Sequence, residues 1–140
     1  MAITFAIFHD SALTTPVDAE NPLATSHAGS TSQDVQLWFG SPASDVSAQA
    51  QSDPGTDPIT ITPTDAASGS GQPATAVKLA TSQVGLASAT AGAALEIGTE
   101  VLSGTANAFS FWARLTNALT VVGTYDDLSL EVNEIVEAAV

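Results

Sequence analysis

Phe109-Ser110-Phe111-Trp112-Ala113-Arg114-Leu115 puts an apolar side chain at every second position. Successive side chains of a strand point to opposite faces. Phe109, Phe111, Ala113 and Leu115 therefore share one face, and Ser110, Trp112 and Arg114 share the other. On a helix the same residues would scatter around the circumference. Working outward, Val35, Leu37 and Phe39 alternate with Gln36 and Trp38, and Gly40 closes that run. Ile3, Phe5 and Ile7 alternate with Thr4 and Ala6, and Ile59 and Ile61 with Thr60 and Thr62. Val77 and Leu79 flank Lys78, Leu95 and Ile97 flank Glu96, and Leu128, Leu130 and Val132 alternate with Ser129, Glu131 and Asn133.

These short runs are separated by turn-rich stretches such as Ser52-Asp53-Pro54-Gly55. They predict strands near 3–8, 34–40, 59–62, 76–80, 94–99, 108–115 and 127–133. One buried and one solvated face per sheet is the pattern of an antiparallel all-β domain. The expectation is a single antiparallel β-sandwich over 1–140, Greek-key and immunoglobulin-like or jelly-roll-like in its connections. The stretch 41–75, rich in Pro, Gly, Ser and Asp, reads as long loops around one short strand at 59–62. Residues 85–94 suit a helical turn or a loop equally well. Tyr125, in Gly123-Thr124-Tyr125-Asp126-Asp127, fits a tyrosine corner leading into the last strand, which is a fold signal.

The charge balance excludes several classes of function. Lys78 and Arg114 are the two Lys and Arg residues, set against 15 Asp and Glu, for a formal net charge of -13. Such a surface repels phosphate, so nucleic acid and anionic membrane are not expected partners. Hydrophobic residues make up 44%, but many are Ala, which leaves material for one modest core. The chain has no Cys, so it has no disulfide and no thiolate chemistry. The apolar N-terminal stretch has no basic residue ahead of it and stops at His9 and Asp10. A cleaved signal peptide is therefore not expected, and synthesis in a cytoplasm is.

Candidate chemistry is sparse. His9-Asp10 supplies two members of a catalytic set, but no strained nucleophile motif of the GxSxG kind accompanies it. His27 lies in a Ser/Gly-rich stretch without an acidic neighbour within three residues. Asp53, Asp57 and Asp65 offer oxygens for Ca²⁺, without EF-hand spacing, and Pro54 and Pro58 read more simply as turn formers. Asp126 and Asp127, adjacent in a strand, would face opposite ways. No zinc-ligand set and no phosphate-cradling loop is present. The expectation is no catalytic residue, no cofactor and no metal.

The tryptophans carry the more informative signal. Register puts Trp112 on the face expected to be wet, beside Ser110 and Arg114, and puts Trp38 on the corresponding face beside Gln36. Trp and Arg are the residue types most enriched at interface hot spots. Trp38, Trp112 and Arg114 are therefore the candidate partner interface, with a neighbouring copy supplying the carboxylate for Arg114. The other reading has a loop or terminus of the same chain folding over them.

With these segments in view, the chain resembles small virion-associated structural proteins of tailed phages and prophages. The resemblance lies in FHDSALTTPV (8–17), VQLWFGS (35–41), QAQSDPGTDPITITPTDA (49–66), LEIGTEVLSGTANAFSFWARL (95–115) and GTYDDLSLEVNEIV (123–136), in that order. It implies a virion location and a non-enzymatic role as a capsid decoration (cement) protein. The implied partners are the major capsid protein and further copies of the chain, with a trimer favoured. A tail component is the alternative within that family. A carbohydrate-binding, adhesin-like sandwich using Trp38 or Trp112 as a sugar platform is the alternative from another class.

Overall fold

The computed structural model describes residues 3–18, 31–65, 73–116 and 128–140. Over these described residues it is an all-β, sandwich-like structure, 50% strand and 10% helix. The strands are β1 (Ala6–Phe8), β2 (Ser32–Gly40), β3 (Val46–Ala50), β4 (Ile59–Asp65), β5 (Val77–Ala80), β6 (Leu95–Gly98), β7 (Glu100–Leu102), β8 (Phe109–Thr116), β9 (Leu128–Val132) and β10 (Ile135–Ala139). They form three antiparallel sheets, ordered β1-β2-β8-β5, β10-β3-β7 and β6-β4-β9. Among the described residues no helix is long and apolar enough to cross a membrane.

The two three-stranded sheets join end to end. β6 continues through Thr99 into β7, and β9 continues through Asn133 and Glu134 into β10. Gln49 pairs with Glu100 and Ile59 with Gly98, while Ala50 pairs with Ile135 and Ile61 with Val132. The middle strand therefore runs from β3 to β4, with residues 51–58 pushed out between them. Gly98, at φ 116, makes one bend. Asn133 holds the other: its backbone N–H donates to Thr60 O (3.1 Å), its Oδ1 accepts from Thr60 N (2.9 Å), and its Nδ2 donates to Pro58 O (3.2 Å).

From β2 onward, each strand of this composite crosses to the opposite layer, through β3–β4, β5, β6–β7, β8 and β9–β10. In an immunoglobulin sandwich the fourth and fifth strands, and the sixth and seventh, are neighbours within one sheet. Among the described strands these neighbours lie in different sheets, an order that differs from the immunoglobulin one.

One core lies between the layers. Phe39, Phe111, Ala113, Ile59, Ile61 and Ala48 are fully buried, and Leu37, Leu79, Ile97 and Val101 nearly so. Burial of each large side chain contributes about 1.5–3 kcal/mol relative to leaving it in water. The Phe5 and Phe39 rings meet at 5.7 Å between centroids, tilted by 33°. Pro63 sits within β4 beyond the last β6 pair, Ile61 with Leu95, where no ladder hydrogen bond is required of its missing N–H.

All seven expected strand segments contain strand, β4 runs on to Asp65, and the structure adds strand where none was expected. β3 lies inside the stretch read as loop, because its fully buried residues, Ser47, Ala48 and Ala50, give little hydrophobic contrast. β7 and β10 extend expected strands past bends at Gly98 and Asn133. Residues 3–5 precede β1: Thr4 N and Oγ1 donate to the Glu137 carboxylate at 2.7 and 2.6 Å, tying this segment to β10. Within 85–94 the structure has a 3₁₀ turn, Val84–Ser88, followed by irregular chain. Tyr125, Asp126, Asp127 and His27 lie outside the described residues.

Candidate functional site

The outer face of the sheet β1-β2-β8-β5 is built from three cross-strand rows. Phe8, Trp38 and Ser110 form one, and Gln36, Trp112 and Ala80 form the next. Asp34, Arg114 and Lys78 form the third. The inward partners of these strands, Leu37 opposite Phe111 and Leu79 opposite Ala113, are buried in the core. Trp38, Trp112 and Arg114 thus share the outer face, with the two indoles in diagonal register, a separation that aromatic side chains can span.

All three are half-buried, and segments of the same chain explain why. The Val84–Ser88 turn packs on β5 and β8. Its Leu86 is fully buried yet stands outside the central core, so the outer face is what shields it. Just before the turn, Gln83 Nε2 donates to Asp34 Oδ2 at 3.3 Å. That bond carries the segment from the end of β5 across β8 to β2.

The other end of the face is closed by 9–17. His9 N donates to Thr15 O (2.9 Å) and Val17 N to Ile7 O (2.8 Å), folding this stretch back along β1. The Asp10 carboxylate accepts from Thr14 N and Thr15 N, each at 3.0 Å, and from the Thr14 hydroxyl. These bonds, led by the Thr14 hydroxyl, hold the Asp10 carboxyl below the ordinary carboxylate range. Leu13 adopts φ 57, unusual for a bulky residue, and is buried. A Cβ at Gly40 would stand 3.2 Å from Leu13 Cδ1 and 3.1 Å from Ala108 Cβ, so glycine there lets the loop close down.

Arg114 Nε donates to Asp34 Oδ1 at 2.7 Å and Nη2 to Asp34 Oδ2 at 3.1 Å, a two-pronged, charge-assisted pair. The hydrogen bonds from Arg114 hold the Asp34 carboxyl below its usual value and raise the guanidinium's own. The carboxylate expected from a neighbouring copy is therefore supplied within the chain. Alternation continued two residues upstream of Gln36 would have put Asp34 on this face; its pairing with β8 needed the fold. Lys78, outward by the same alternation, lies opposite Arg114.

The other described carboxylate candidates sit in loops, turns and at a strand end. Asp10 is the cap of the 9–17 loop. Asp53 O accepts from Thr56 N and Asp57 N, and Ser52 Oγ donates to Asp57 Oδ2 at 2.6 Å, so this stretch is a self-bonded turn. Asp65 ends β4. Among the described residues no group of three His, Asp or Glu is placed to hold a metal ion. An open depression at the base of 51–58 is lined by Gln51, Ser52, Asn133 and Glu134.

No protein-family model, curated protein or solved structure matches this chain.

Proposed function

We propose that the chain is a non-enzymatic structural protein of a tailed-phage particle: a capsid decoration protein that binds the outer capsid surface and stabilises the shell. Its partners in this reading are the major capsid protein and further copies of itself, as a trimer. The observation that carries the reading, beside the sequence resemblance, is the outer sheet face. There Trp38 and Trp112 stand in diagonal register, with the Asp34–Arg114 pair in the adjoining row. Such a face brings large aromatic area together with a fixed, directional ion pair, the composition that interface hot spots favour.

The charge supports the same reading. At -13 the chain is repelled by packaged nucleic acid, and a position on the outside of a shell imposes no contact with it. A rigid sandwich with self-bonded loops also suits a part that must hold its shape without performing turnover.

Two measurements test the proposal. Mass spectrometry of purified particles from the encoding phage or prophage is expected to find the chain in many copies. Adding the purified chain to shells stripped of it is expected to raise the temperature at which they release their contents. Absence from particles would overturn the reading. Recovery with purified tails alone would replace the capsid role by the tail one.

A further inference from the structure

We infer that Lys78, with Val84 of the turn that packs on the same strand as an apolar contact, is the point at which one copy of this chain engages a carboxylate of a second copy. The inference deepens the reading of the outer sheet face as an interface between copies and rests on that reading.

Three observations carry it. Both fixed cations of a 140-residue chain fall on one cross-strand pair, Lys78 opposite Arg114. Like charges directly opposite each other on a sheet repel, and here the Asp34 carboxylate on the other side of Arg114 offsets that repulsion. Arg114 is neutralised by Asp34, on which Gln83 also converges. Lys78 makes no ion pair among the described residues and is half-buried on the edge strand β5. The turn that packs on β5 then presents Val84, 88% exposed, the most exposed large hydrophobic residue described. An unpaired ammonium and a bare valine thus mark the same flank of the molecule.

Charge complementarity selects the occupant. Each copy carries 15 carboxylates and a net charge of -13, so most approaches of two copies are repulsive. A contact that sets a carboxylate of one copy on Lys78 of another offers them an ionic attraction through the fixed cation that Asp34 does not already engage. Its effect is to favour one orientation as well as to add affinity, because poses that set acidic surface on acidic surface are repulsive.

Sedimentation velocity of the isolated full chain tests this, with wild type, Lys78→Gln, Lys78→Arg and Val84→Ser, each checked for an unchanged thermal melt. Wild type is expected to self-associate. Lys78→Gln is expected to weaken association by roughly thirtyfold, and Lys78→Arg to restore most of it. Val84→Ser, at a site too exposed to matter for folding, is expected to weaken it about fivefold to tenfold. A monomeric wild type, or a Lys78→Gln chain that associates as wild type does, would overturn the inference. Particle binding is scored separately. A chain that decorates particles but never self-associates contradicts this inference alone. One that self-associates through Lys78 but is absent from particles contradicts the virion role alone.

Discussion

Arg114 on β8 and Asp34 on β2 face each other in register, with Nε 2.7 Å from Oδ1, on the outer face of the four-stranded sheet. Eighty residues separate them in sequence, so the pair closes a long loop of chain with two parallel hydrogen bonds. Acid is expected to undo it. The Asp34 carboxyl lies below its ordinary value in the folded state, chiefly through Arg114, and Asp10 is lowered by the Thr14 hydroxyl. A carboxylate lowered in this way stabilises the fold fully above its unfolded value of about 3.9 and loses that contribution as pH falls through the folded value. In thermal melts, Asp34→Asn and Asp10→Asn are expected to be less stable than wild type at pH 7 and to approach it near pH 2. A gap independent of pH would show that neither carboxylate acts through its charge.

The two faces of β8 give a paired test. Phe111 is fully buried in the central core, so Phe111→Ala is expected to cost about 3–5 kcal/mol of folding stability. Trp112, half-buried on the outer face, is expected to cost distinctly less on truncation while weakening association. Chemical denaturation with urea measures both. A larger folding cost at Trp112 than at Phe111 would invert the face assignment.

Leu86 tests whether the Val84–Ser88 turn is a fixed cover. It is fully buried although it stands apart from the central core. Leu86→Ala is expected to cost about 2–5 kcal/mol and to speed amide exchange across 83–89 well before the rest of the sheet. Unchanged exchange there would mean the turn is held by other contacts.

At the opposite sheet, Asn133 is expected to act as a clamp between β4 and the β9–β10 bend. Its side chain satisfies Thr60 N and Pro58 O together. Asn133→Ala leaves both groups seeking partners, at about 1–3 kcal/mol. Asn133→Asp keeps the acceptor and removes the donor, and is expected to lie between the alanine variant and wild type. Equal stability of all three chains would dismiss the clamp.

Much of this architecture was legible because alternation is a local property. Phe111 and Trp112 could be assigned to opposite faces from their neighbours alone, and likewise Leu37 and Trp38. β3 carries no such rhythm because Ala48, Ala50 and Ser47 are buried without being strongly hydrophobic. β7 and β10 were hidden by bends at Gly98 and Asn133, which interrupt an apolar rhythm without ending the strand. For the site, the residue types on the outer face were readable but their companions were not. Asp34 meets Arg114, and Phe8 meets Trp38, only once β2 lies between β1 and β8. Leu86 gave no periodic signal, since a 3₁₀ turn with one buried residue has no period to detect.

The claim that this chain decorates the outside of a capsid is tested most directly by cryo-electron microscopy of purified particles from the encoding phage or prophage. The expected result is density of this sandwich repeated over the outer shell, with the sheet face bearing Trp38 and Trp112 turned toward a neighbouring subunit. Shells without that density, from particles that otherwise carry their full set of proteins, would contradict it.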